Sequence, residues 1–252
     1  MILYATLAVA AAIAARLVAR YDLHDREPWP LIAAVILAGG AAMALAGPIE
    51  DSIIRRAGAG APAVALIAAV AATVEELGRF GIVLALAWLV PRHFNDPIDG
   101  LIYGSSAGIG MALEETTAYL AADASAPLAG TLAVEAVRLF GHVIMGGITG
   151  FGVGVMHHRR ARRVWAALAV ACLAGGVAIH FLWDYVALTN LMRADWDTEA
   201  TAASITLMLV AMAAYGGLVV AGGRASREIF AISAPRRPPI PPGRPRNRRP
   251  RP

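Results

Sequence analysis

Residues 62–90 read PAVALIAAVAATVEELGRFGIVLALAWLV. An apolar run of this length can cross a hydrocarbon core about 30 Å thick as a tilted helix. Its middle, however, carries Glu75, Glu76 and Arg79. Ionisable groups at that depth cost about 3 kcal/mol each on insertion scales, so they are rare and face a protein interior or a water-filled cavity. Arg79 follows Glu76 by three residues and Glu75 by four, so it can meet either carboxylate on one helical face. The stretch predicts a membrane helix with a functional face.

The rest of the chain agrees. It has 252 residues, 58% of them hydrophobic, with a mean hydropathy of +0.60, which excludes an ordinary soluble domain. Apolar segments at 2–19, 30–47, 62–90, 97–121, 127–156, 164–188 and 202–223 predict an all-α fold, a polytopic membrane helix bundle of about seven transmembrane helices. Gly47-Pro48 reads as the end of the second. The run MILYATLAVAAAIAA has no basic residue ahead of it, so it reads as a retained first helix rather than a cleaved signal peptide. The single cysteine, Cys172, rules out an internal disulfide and reads as a small apolar residue of the sixth helix.

All 22 basic residues are arginine. Apart from the intramembrane Arg79 and Arg138, 17 of them fall on one side of the bundle: Arg16, Arg20, Arg26, Arg92, Arg159, Arg160, Arg162, Arg163 and nine from Arg224 onward. Only Arg55, Arg56 and Arg193 fall on the other. The positive-inside rule then places the N-terminus outside and the C-terminus in the cytoplasm. Two regions follow, a transmembrane region over 1–223 and a Pro/Arg-rich tail over 224–252. The tail cannot build a core and is expected to be extended and disordered, attracted to anionic lipid, with no nucleic-acid role.

Three further segments carry polar groups at matching depth. Counted from the cytoplasmic helix ends, Glu75 is 16 residues from Pro91, Glu114 is 17 from Pro97, His142 is 15 from His157 and His180 is 16 from Val164. At 1.5 Å per residue all lie about 22–26 Å in, in the outer half of the bilayer. Each has a helical neighbour: Arg138 precedes His142 by four residues, Glu135 precedes Arg138 by three, and Asp184 follows His180 by four. Intramembrane charges come paired in this way. Gly100, Gly104 and Gly108, and Gly146, Gly150 and Gly154, recur every four residues. Small residues at that spacing let helices approach closely, which would bring Glu114 and His142 together.

Five stretches in this order resemble the PrsW family of intramembrane proteases, itself similar to the CAAX-processing membrane proteases: DLHDREPWP (22–30), EELGR (75–79), FNDPIDGLIYGSSAGIGMALEETTAYL (94–120), RLFGHVIMGGITG (138–150) and HFLWD (180–184). The resemblance covers about residues 22–185. The sequence departs from the family at Arg79, where lysine is common, at Glu115, where an asparagine often follows the inner glutamate, and at Asp184, where an amide is common. What the resemblance implies is hydrolysis of another membrane protein, for example an anti-sigma factor cut near its outer boundary, by a multi-pass protein of a bacterial plasma membrane.

The chemistry can be written from the residues. A carboxylate in a low-dielectric pocket can act as general base near neutral pH, a role open to Glu75 or Glu76. Arg79 would hold the pair, His142 and His180 would donate to the oxyanion or the leaving amine, Glu114 would orient one histidine, and Asp184 would orient His180. A metal version would use His142, His180 and Glu114 as zinc ligands with an open fourth position, although no HExxH is present. Two rivals use the same buried groups. A proton-coupled transporter would spread them across the bilayer, and a scaffold would use them only to join helices.

Overall fold

The structure, a computed structural model, describes residues 2–22, 26–58, 60–122, 128–158, 163–192 and 198–233. Among them are seven α-helices: α1 Ile2–Val18, α2 Trp29–Ala57, α3 Ala61–Leu89, α4 Pro97–Ala122, α5 Leu128–His158, α6 Arg163–Met192 and α7 Thr198–Ser233. Five stretches among the described residues are long and apolar enough to cross a membrane: Tyr4–Tyr21, Trp29–Ala57, Val134–His158, Arg163–Thr189 and Thr201–Glu228. The other two long helices, α3 and α4, hold Glu75, Glu76 and Arg79, and Asp99, Glu114 and Glu115.

The centre of the bundle is α4 packed on α5. Leu101, Ile102, Tyr103, Ala107, Ile109 and Met111 of α4 have no exposed surface, and 89% of the α5 span is buried. On one side α2 packs on α4 and α3; on the other α6 closes against α5 and α3. Outside these, α1 lays Ala11, Ala15 and Val18 on Ile98, Ile102 and Val143, and α7 lays Ala211 and Tyr215 on Ile144, Ile148 and Phe151. Leu37, Leu45, Val170, Leu209 and Val210 point outward and are exposed, as a lipid-facing surface requires.

The close approach of α4 to α5 depends on missing side chains. A methyl group added at Gly104 would strike the carbonyl of Gly146, and one at Gly108 would strike the carbonyl of His142. Backbone cannot yield as a side chain can, so Gly104→Ala must push the helices apart. Overpacking of this kind costs about 1–3 kcal/mol. The variant is expected to melt at a lower temperature than wild type in detergent, followed by circular dichroism. Gly81→Ala, where an added methyl meets nothing within 4 Å, should leave the melting temperature unchanged or slightly raised.

Two boundaries differ from the sequence expectation. The second helix does not end at Gly47-Pro48: Pro48 lies inside α2, which runs to Ala57 and stops at Gly58 with φ 74°. Proline removes only one ladder hydrogen bond, so the helix runs on past it. At the other end α7 continues as helix to Ser233, past the boundary expected after 223. The rest of the tail, and with it the expectation of disorder and lipid attraction, lies outside the described residues.

Beyond the membrane helices, the turn before α4 is built on two acids. Asp99 Oδ2 accepts the backbone N–H groups of Asn95 at 2.6 Å and Asp96 at 2.8 Å. Asp96 Oδ1 accepts the N–H of Ile98 at 2.6 Å, as an N-terminal cap does. Ser226 of α7 donates to the other Asp96 oxygen, tying the last helix to the start of the central one.

Candidate active site

The sequence places three ionisable groups within five residues of α3, and the helix turns all three inward. Glu75 is 3% exposed, and Glu76 and Arg79 are 0% exposed. Arg79 donates from Nη2 to Glu75 Oε2 at 2.8 Å and from Nη1 to Glu76 Oε1. Its Nη2 also lies 2.6 Å from His142 Nδ1 on α5, and its Nη1 lies 3.4 Å from His180 Nδ1 on α6. The rings of His142 and His180 face each other at 68° with centroids 5.8 Å apart. Three remote stretches of chain therefore meet around one guanidinium.

Hydrogen-bond logic fixes the roles of several atoms. His142 Nδ1 accepts from Arg79, so its proton is on Nε2, which donates to Glu115 Oε2 at 2.9 Å. Both His142 nitrogens are thus engaged. Glu76 is fully occupied: besides Arg79, it accepts from Thr149 Oγ1 at 2.7 Å and from His180 Nδ1 at 3.2 Å. Glu75 is different. Its Oε2 meets Arg79, while Oε1 faces His180 Nε2 at 3.8 Å. The same His180 nitrogen lies 3.4 Å from Asp184 Oδ2. Exposure is greatest along this side, where the Asp184 side chain is 24% and the Glu115 side chain 19% exposed.

A second tier supports the first. Arg138 pairs with Glu135 one turn away, reaches Glu115 Oε1 from Nε at 3.4 Å and covers the Tyr119 ring with its guanidinium carbon 4.4 Å from the centroid. Thr116 donates to Glu135. Close backbone approach matters at one further point: a methyl at Gly176 would strike Thr149 Oγ1 and sit 3.1 Å from Glu76 Oε2. Only glycine lets α6 bring His180 this close to α3.

The expected site residues divide accordingly. Glu75, Glu76, Arg79, His142, His180 and Asp184 come together. Glu114, expected to orient a histidine and to serve as a third zinc ligand, does not join them. It lines a groove of about 310 Å³ with Ile36, Leu37, Gly40 and Ala41 of α2, and its neighbour Glu115 makes the histidine contact. The cause is the 100° turn per residue of an α-helix: Glu114 and Glu115 share a depth but face different helices. The zinc set His142, His180 and Glu114 is therefore not assembled, and among the described residues no group of three or more His, Cys, Asp or Glu is arranged to hold a metal ion.

Three contributors escaped the sequence reading. Thr149 is seven residues after His142, two helical turns along the same face, and that spacing was a usable signal. Glu115 was visible only as a departure from the family pattern. Glu50 lies beyond Pro48, on the part of α2 that was expected to be loop. It sits in electrostatic reach of Glu115, Asp184 and His180, and its buried Oε1 has no hydrogen-bond partner among the described residues.

Comparison with known proteins agrees with the geometry. No match was found among curated proteins or solved structures. A family model described as PrsW family intramembrane metalloprotease matches residues 27–216, a stretch that begins at Glu27 and contains every residue of the cluster. With its long apolar helices the protein is a multi-pass membrane protein, and by that match over most of its length the chain belongs to the PrsW family of intramembrane metalloproteases.

Proposed function

We propose that the protein hydrolyses a peptide bond of a membrane-protein substrate, with Glu75 as general base and His180 as the donor to the developing oxyanion. One observation carries this reading: Glu75 Oε1 and His180 Nε2 face each other at 3.8 Å on the more exposed side of the cluster, while Glu76 and His142 are bound up on every side. Glu75 takes a proton from the attacking water as its oxygen adds to the scissile carbonyl. His180 has a carboxylate at each nitrogen, Glu76 at Nδ1 and Asp184 at Nε2, so each N–H has an acceptor that holds the ring in place. From there Nε2–H reaches the oxyanion, and the proton on Glu75 passes to the departing amine as the C–N bond breaks.

Glu76 and Arg79 are positioning residues, as are Glu115 and Asp184. The arginine distribution supports an external N-terminus and a cytoplasmic tail. The cleavage level then lies in the outer half of a bacterial plasma membrane, with an anti-sigma factor as one substrate of the fitting kind. Gathering all groups at one level favours a reaction centre over a proton path.

Purified protein in liposomes is the test. It should cut a co-reconstituted transmembrane peptide at a bond near one membrane boundary, with products identified by mass. Proton flux without any cleavage would reverse the assignment in favour of a transporter.

A further inference from the structure

A catalytic metal held by histidine and glutamate needs their lone pairs aimed at one shared point. In this protein that point is taken by an organic cation. Glu75 Oε2 at 2.8 Å, Glu76 Oε1 and His142 Nδ1 at 2.6 Å all accept from the terminal nitrogens of Arg79, and His180 Nδ1 lies against the same group at 3.4 Å. A neutral imidazole has a single lone pair. His142 spends it on Arg79, and its other nitrogen carries a proton to Glu115. As folded, His142 has no electrons left for a metal. The donor set is right in kind for zinc and wrong in arrangement.

Arg79 also cannot step aside at low cost. It is wholly buried, and its departure would leave the two adjacent buried carboxylates short of one positive charge. Its flat, forked head spans acceptors on two helices and rests against His180 on a third, which the single nitrogen of a lysine cannot do.

We propose that the Arg79 guanidinium is the resident cation of this site, standing where the family description leads one to expect a metal. It neutralises Glu75 and Glu76, sets the His142 tautomer and fixes the distance between Glu75 and His180. This rests on the peptidase reading for its catalytic consequence, but not for its prediction about metal.

The first measurement is the metal content of wild-type protein purified without chelator, together with its melting temperature before and after 1,10-phenanthroline. The expected result is substoichiometric zinc, iron and cobalt and an unchanged melting temperature, with cleavage equally unaffected. One equivalent of bound metal whose removal lowers the melting temperature overturns the proposal and leaves the peptidase reading standing. The second measurement is Arg79→Lys, which keeps the charge and loses the fork. Its kcat should fall about 10²-fold through misplacement of the reacting groups, with KM unchanged because Arg79 does not touch substrate. Full kcat in Arg79→Lys overturns the proposal; if that variant does not fold, the wild-type metal content still decides. Should Glu75→Gln cleave normally, the catalytic assignment falls while the metal result is unaffected.

Discussion

Glu75→Gln is expected to lower peptide cleavage by about 10²–10⁴-fold, the range removed with a general base, without unfolding the protein. Glutamine keeps the shape of the side chain and can still accept from Arg79 through its carbonyl oxygen, so the loss falls on Oε1, the atom that faces His180 at 3.8 Å. Glu76→Gln also stops cleavage, for another reason. Glu76 is fully buried and bound to Arg79, Thr149 and His180; breaking one partner of such a buried pair costs about 3–5 kcal/mol. The two variants separate by melting temperature: it falls in both, since each carboxylate pairs with Arg79 inside the bundle, and further for Glu76→Gln, which also disturbs Thr149 and His180. Cleavage retained in Glu75→Gln would end the assignment of Glu75 as the base, and cleavage retained in both would end any glutamate assignment.

His180→Ala is expected to cost about 10²–10³ in kcat, the magnitude seen when one oxyanion donor is removed. The residue touches both halves of the machinery, with Nδ1 on Glu76 at 3.2 Å and Nε2 between Glu75 and Asp184. His180→Gln should recover little, since an amide in place of the ring cannot present N–H groups in both directions. His142→Gln is the useful contrast. His142 links Arg79 to Glu115 and has no free nitrogen, so that change should act mainly on the melting temperature. Single-turnover cleavage of a quenched transmembrane peptide, run beside thermal melts, distinguishes the two histidines. An equal loss of kcat in both, with equal melts, would contradict this division of roles.

Glu50 shows where a local rule misleads. Gly47-Pro48 has the composition of a helix stop. A proline removes only one ladder hydrogen bond, and α2 continues to Ala57, carrying a carboxylate to the edge of the site. Glu114 and Glu115 show a different limit. Their depth was readable, but adjacent residues differ by 100° in direction, and nothing in the chain says which neighbour each one faces.

The sequence by itself determined the all-helical membrane architecture and the pairing of groups within helices, because apolar length and three- and four-residue spacing are local properties of a chain. Only the tertiary structure decided which carboxylate keeps a free oxygen, that Glu115 rather than Glu114 meets His142, and that Arg79 fills the point where the donors converge. Those are facts of rotation and packing between helices far apart in sequence, set by which glycines allow close contact, and rotation about a helix axis leaves no mark on depth.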